Sequence, residues 1–469
     1  MLFTDFKFFL VMPIIFVLYW LVPLRLCGLK KIFLLVTSYL LYMNFNPVYA
    51  LLLLAISLVT FYGAKLLANG SIFARGGKAV AVVVLLPLLL FKYYNFINDS
   101  VYSLLSLTYL RFQLPGLNWA IPVGISFFTF QALGYYLDVY HKRIPAEKSL
   151  VDYLLFVSFF PQIASGPISK ASELLPQIKA LEPFSYAKAS RGCRYFLWGL
   201  FLKIAVADRA GLYVALVLDH YGSFSGLNCL LAAFMYSIQI YADFAGYSFM
   251  AIGTAKLLGF DLINNFNHPY FSMCVTDFWR RWHISLSRWL KDYVYIPLGG
   301  NRCSKVRNYL NIMLTFLVSG IWHGANWTFV LWGVFHGLCQ VAEKALGLQK
   351  AESKGFIRAI RILMTFAIVC FAWILFRSPT ITDAFNIIVQ ILTLYKGFHL
   401  SLEGVDMLSY LAVAFVPFFI FEFMHEFYKN MYDKIMSFIV VRWGVYIVLF
   451  CIIVLIGVFD GSEFIYANF

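Results

Sequence analysis

The sequence predicts an all-α, polytopic integral membrane protein. Three observations predict it: an apolar excess that no water-soluble core can hide, apolar runs of membrane-crossing length, and basic residues sorted into alternate loops. Of 469 residues, 62% are hydrophobic and only 13% charged, and the mean hydropathy is +0.78. An ordinary soluble domain carries roughly 45–50% apolar and about 25% charged residues, so lipid must cover the surplus.

The first run, "FKFFLVMPIIFVLYWLVPLRL", is apolar over about the ~20 residues that a helix needs to cross the hydrocarbon. It lacks the small-residue cleavage site of a secretory signal and further apolar runs follow at once, so a retained first helix is expected. The net charge is +14, and its distribution carries the topology, because Lys and Arg concentrate in cytoplasmic loops. The basic clusters are Arg25/Lys30/Lys31, Arg75/Lys78, Lys142/Arg143/Lys148, Lys170 to Arg194, Arg280 to Arg307, Lys344 to Arg361, and Lys429/Lys434/Arg442. Loops poor in Lys and Arg lie at 44–47, 219–226 and in "FDGSEFIYANF". Placing the first set inside and the second outside threads the chain through about 11–12 crossings with both termini outward. The basic balance is thus accounted for by topology and contact with membrane lipids, and nucleic acid is excluded as a partner. The eight cysteines are scattered without a CxxC pair, which indicates neither a disulfide framework nor a metal site. One membrane domain over 1–469 is expected.

Some segments are not simple spans. "VDYLLFVSFFPQIASGPISK" joins two basic loops and is interrupted by Pro161, Gly166 and Pro167. Broken backbone at membrane depth is tolerated where protein or a water-filled cavity shelters it, so a re-entrant segment is expected. "YLNIMLTFLVSG" and "WTFVLWGVFHG" read as short helices of about 18–21 Å, which would set the loop "IWHGAN" between them inside the membrane. In "TDFWRRWHISLSRWLKDY" the periodicity predicts one basic amphipathic helix with Thr276 as N-cap and Asp277 in its first turn. Its apolar stripe runs through Phe278, Trp282, Leu286 and Leu290, and a tryptophan-rich basic helix suits the membrane interface.

Two histidines occupy demanding places: His283 on the aromatic face of that stretch, and His323 in the "WHG" loop. Ionisable groups at membrane depth are expensive and raise a functional hypothesis by default. The alternative for His323 is an interhelical hydrogen bond alone, and for His336 that structural role is the expectation. Among other polar residues in apolar runs, Tyr241 and Asp243 could line an internal tunnel or hold helices together. Asn326 could orient the His323 imidazole or cap the next helix, and Lys203 and Asp208 read as a structural pair.

The stretch "DFWRRWHISLSRWLKDYVYIPLGGNR" followed by "SGIWHGANWTFVLWGVFHG" resembles the membrane-bound O-acyltransferase (MBOAT) superfamily, and within it the bacterial alginate O-acetylation branch. "PVGISFFTFQALGYYLDVY", "FVSFFPQIASGPISK" and "QIYADFAGYSFMAIGTAKLLGF" support the resemblance, which runs over the whole chain. It implies helices around an intramembrane tunnel, with His323 as the catalytic histidine and His283 as a second functional one. It also implies an acyl donor, acyl-CoA and in particular acetyl-CoA, taken from the cytoplasmic side, with no bound cofactor. The donor's phosphates would meet Arg280, Arg281, Arg288, Lys291 and Arg302. The acceptor would be a cell-surface polysaccharide or peptidoglycan, served through an extracytoplasmic hydrolase-like (SGNH-type) O-acetyltransferase. D-alanyl transfer to an envelope polymer, or a transporter with broken helices, are the alternatives. The last residues, 464–469, resemble an FIYxxF-type motif whose tyrosine, here Tyr466, relays the acyl group; the alternative is a tail that only plugs the outer mouth. Ala467 departs from the more aromatic form of that motif.

Overall fold

Among the described residues, seven helices are long and apolar enough to cross a membrane: Leu24–Met43, Pro47–Ala68, Lys78–Ser106, Gly226–Leu257, Gly355–Arg377, Met407–Phe427 and Ile439–Ile456. Shorter apolar helices occupy Phe6–Leu21, Leu150–Ile163 and Ile381–Thr393. The computed structural model describes residues 3–70, 77–108, 113–350, 353–397, 405–459 and 465, and among them every regular element is helical. Rows of Leu, Ile, Val and Phe on these helices stay exposed, as at Leu363 (66%) and Leu455 (78%). Water would penalise such a surface, whereas hydrocarbon does not. The chain is an all-α, multi-pass membrane protein.

Two compact units can be distinguished, Met1–Cys193 with Ala251–Ile263, and Arg194–Met250 with Asn264–Ile465. In the first, the expected interrupted segment is broken where its prolines predict. A helix at Leu150–Ser158 stops at Phe159, a short turn covers Phe160–Ile163, and a helix resumes at Ala171–Lys179. The buried carboxylates near it are paired: Asp152 lies 3.0 Å from Lys31, and Glu147 lies 2.6 Å from Lys179. Lys30, only 1% exposed, sits 4.3 Å from the rings of both Tyr19 and Trp20, where the ring faces compensate part of its lost hydration.

The second unit corrects two expectations. The helices around the "WHG" segment are not short: Lys305–His323 and Trp327–Ala345 have 19 residues each, or about 28 Å. Polar first and last turns, with Lys305, Arg307, Glu343 and Lys344, had masked their length. Helices of that length nearly match the hydrocarbon and do not by themselves draw the loop between them into the membrane. The pair forms a tight hairpin instead, and small residues let its backbones touch. A Cβ on Gly320 would stand 2.3 Å from the carbonyl oxygen of Phe329, and one on Gly333 would stand 2.4 Å from that of Phe316.

The second correction concerns the basic stretch, which is two helices and not one. Val275–Arg281 begins at an N-cap on Cys274, not Thr276, and Ile284–Leu290 follows a break at Trp282 and His283. Nor is the stretch an exposed interfacial helix: Trp282, His283 and Leu286 are all 0% exposed. Tertiary hydrogen bonds break it, as described below.

Candidate functional site

His283 adopts a left-handed backbone, φ 43° and ψ 55°. For a residue with a Cβ this is an uncommon state that surrounding contacts must enforce. Asn265 supplies them. Its carbonyl oxygen accepts from the Ile284 N–H at 2.9 Å, and its Oδ1 accepts from the Ser285 N–H at 3.1 Å and the Ser285 hydroxyl at 2.9 Å. One connecting loop thus takes over donors at the start of the second helix and holds the break open.

The same Oδ1 lies 3.2 Å from Nδ1 of His283. Two other donors orient that oxygen, so Nδ1 must be the protonated nitrogen, and the neutral ring keeps its lone pair on Nε2. Burial holds the imidazole pKa down to about 3, because desolvation penalises the cation. His283 is accordingly a neutral imidazole with a fixed tautomer.

A carboxylate from the hairpin anchors the other end of this stretch. Glu343 accepts from the N–H of Val275 at 2.5 Å, the N–H of Thr276 at 2.9 Å and the Thr276 hydroxyl at 2.8 Å. A negative charge at a helix N-terminus is favourable, and here it ties the His283 segment to the Trp327–Ala345 helix.

His323 ends the Lys305–His323 helix and is 1% exposed. Its ring packs against Trp322 at 5.0 Å, Trp332 at 4.9 Å and Phe376 at 5.3 Å between centroids. Trp322 also meets His283, at 5.8 Å, so one indole lies against both histidines. His336 is the structural partner the sequence suggested, its Nδ1 accepting from the Trp279 indole N–H at 3.2 Å. Among the described residues, the buried indole N–H groups of Trp282, Trp332 and Trp373 find no acceptor. An unsatisfied buried donor costs roughly 1–3 kcal/mol, so this aromatic shell retains donor capacity beside His323. A neutral base, an apolar wall and N–H donors are what proton abstraction and stabilisation of a carbonyl oxygen require.

The other site candidates sort by what they touch. Asn326 caps the Trp327–Ala345 helix through the Thr328 N–H at 3.0 Å and donates to the Pro379 carbonyl at 2.7 Å. Tyr241 is buried and its hydroxyl donates to Glu422 at 3.0 Å, while the second oxygen of Glu422 lies 2.9 Å from Nδ1 of His268. Asp243 stands 2.7 Å from Lys203, which also reaches Asp208 at 2.7 Å. Arg281 is held between Glu426 at 2.7 Å and Asp277 at 3.1 Å, so two carboxylates already compensate its charge. Arg280, Lys291 and Arg302 are exposed and Arg288 is half-buried. Tyr466 and the rest of the 464–469 motif lie outside the described residues except Ile465. Sequence reasoning missed Asn265, Glu343 and Glu422, the last being the partner of both Tyr241 and His268. The only local signal was "NNFNHP", a run of asparagines that favours hydrogen-bonded loop geometry.

Buried histidines sharing one tryptophan wall in a polytopic helical membrane protein fit the class of intramembrane group-transfer enzymes. The comparisons narrow the class. Residues 139–379, about half of the chain, match the MBOAT, membrane-bound O-acyltransferase family. The probable alginate O-acetylase AlgI of Azotobacter vinelandii is 37% identical over 386 residues, covering 81% of this chain and 75% of that protein. The peptidoglycan O-acetyltransferase of Helicobacter pylori is 36% identical over 324 residues, 62% of this chain and 61% of that protein. The teichoic acid D-alanyltransferase of Bacillus subtilis is 28% identical over 324 residues, 66% of this chain and 78% of that protein. The chain belongs to the membrane-bound O-acyltransferase family and is an O-acyltransferase.

Proposed function

We propose that the protein is a single MBOAT domain that transfers an acetyl group from cytoplasmic acetyl-CoA toward a cell-surface polysaccharide or peptidoglycan. It would act in the cytoplasmic membrane of a bacterium. The observation that carries this reading is the enclosed pair of histidines joined by Trp322. It is supported by the higher identity to O-acetylating relatives than to the D-alanylating one.

In the proposed reaction Nε2 or Nδ1 of His323 takes the proton of an attacking hydroxyl. The hydroxyl oxygen adds to the thioester carbonyl carbon, and the Trp332 indole N–H would receive the developing oxyanion. The carbon–sulfur bond then breaks, and the imidazolium returns its proton to the departing thiolate. Exclusion of water limits hydrolysis of the donor. His283, neutral and oriented by Asn265, would position the donor, and the exposed Arg280, Lys291 and Arg302 with Arg288 would receive its phosphates. Arg281 contributes less, since its carboxylate partners compete. Tyr241, Asp243 and Asn326 are assigned to the wall of the acyl path. Tyr466 is proposed as the first acceptor. Its phenol ionises more readily than a sugar hydroxyl, and the ester it forms is activated for onward transfer to an SGNH-type O-acetyltransferase outside the membrane.

The test is direct. Membranes containing the protein are supplied with acetyl-labelled CoA or with D-alanyl-loaded carrier protein, and label on the protein and on surface polymer is counted. Label from acetyl-CoA alone supports the proposal. Label from the D-alanyl carrier alone would replace it with the D-alanylation reading.

A further inference from the structure

The second unit holds a buried ionic cluster around Asp243 to which the reaction above gives no chemical step. The Lys203 ammonium lies 2.7 Å from both Asp208 and Asp243, and the side chains of Lys203 and Asp243 are each 2% exposed. Lys203 and Asp208 are five residues apart and meet because Phe201–Ala207 is a π-helix, which brings i and i+5 onto one face. A buried carboxylate needs hydrogen-bond donors on its oxygens, and Lys203 reaches Asp243 at Oδ1.

A further donor comes from the far end of the sequence. The Ile465 main-chain N–H donates to Asp243 Oδ2 at 2.8 Å, across 222 residues. Upstream of it, the stretch 456–458 follows the π-helix closely. Arg209 Nε donates to the Ile456 carbonyl, and the Val458 N–H donates to the Ile204 carbonyl at 3.2 Å. A Cβ on Gly457 would stand 2.6 Å from Ile204 Cγ2, so only glycine allows that approach. π-turns occur mostly as single bulges at functional sites, and this one receives a chain segment.

We propose that Asp243, paired with Lys203, is the internal dock that holds the chain at Ile465 through its main-chain N–H. Recognition runs through a main-chain N–H, so it depends on the donor at 465 and tolerates exchange of the side chain. Tyr466 is bonded to Ile465, so Asp243 is a positioning residue for acyl delivery. That consequence rests on the relay reading, while the docking itself does not.

The experiment uses the full chain in detergent and in cells. Hydrogen–deuterium exchange is measured on peptides spanning Ile465 in the native protein and in Asp243→Ala. Docking predicts exchange of that amide at least about tenfold faster in the variant, the scale of a lost hydrogen bond to a charged group, with the helices around His323 unchanged. Unchanged exchange at 465 would overturn the dock. Should Asp243→Ala not fold, Ile465→Pro decides, since it removes the donor and leaves the ionic cluster in place. Polymer acylation falling at least about tenfold in Ile465→Pro, with Ile465→Val at the native level, supports the proposal; native acylation in Ile465→Pro while Tyr466→Phe is inactive overturns it. Tyr466→Phe separates the two ideas. If that variant acylates normally while Asp243→Ala still loses protection at 465, the relay reading fails and the dock stands. If Tyr466→Phe is inactive while exchange in Asp243→Ala is unchanged, the relay stands and the dock fails.

Discussion

At the scale of single residues, the proposed chemistry needs an imidazole kept neutral and held in one orientation. For His283 burial does the first and Asn265 the second. The consequence for stability has a definite sign. The folded-state pKa of about 3 lies below the unfolded value of about 6.5. The unfolded chain therefore takes up a proton first as the pH falls, and stability is lost progressively between about pH 6.5 and pH 3. Above that window the group contributes no pH dependence. Replacing His283 by Gln should flatten part of the acid loss, so thermal unfolding in detergent at pH 7 and pH 4.5 should differ less in the variant than in the native protein. An equal difference would mean that His283 is not held neutral. Asn265→Ala should leave the protein inserted but lower turnover by about tenfold or more, because the His283 tautomer is no longer selected. The histidines were legible as residues of interest, since a polar ring among tryptophans stands out in any apolar run. Asn265 and Glu422 were not. Tyr241 and Glu422 pair over 181 residues, and such a contact leaves no periodic trace.

At the scale of elements, the hairpin of Lys305–His323 and Trp327–Ala345 sets where His323 points. Its backbones meet through Gly320 and Gly333, and either Cβ would collide with a carbonyl oxygen. Gly333→Ala should therefore cost about 1–3 kcal/mol, the usual penalty for overpacking, and lower the detergent melting temperature. Gly444→Ala is the control, because nothing lies within 4 Å of the added carbon. Equal melting temperatures in the two variants would contradict the close packing. Periodicity located these helices but misjudged their ends, since polar residues in first and last turns hide helical length. Periodicity also failed at His283, where an unbroken stripe from Phe278 to Leu290 covers a chain break. The break is imposed by a loop distant in sequence, and local pattern has no means of registering it.

At the scale of the whole molecule, composition alone specified a helical membrane protein, and the exposed apolar faces of its long helices agree. Composition does not say where a soluble, highly charged donor meets such a protein. Arg280 and Lys291 are the informative probes, being exposed and free of the carboxylate contacts that hold Arg281. Reversing both charges should raise the apparent donor constant, and the increase should shrink as salt screens the interaction. A donor constant indifferent to both changes would move the entry site elsewhere. The central claim is that His323 removes the acceptor's proton, and it is tested most directly by turnover in the His323→Ala variant. With labelled acetyl-CoA and native-like melting in detergent, the variant should transfer no more than a few hundredths of the native label, as expected when a general base worth roughly 10²–10⁴-fold is removed. Transfer at or near the native rate by a folded His323→Ala protein would contradict the account.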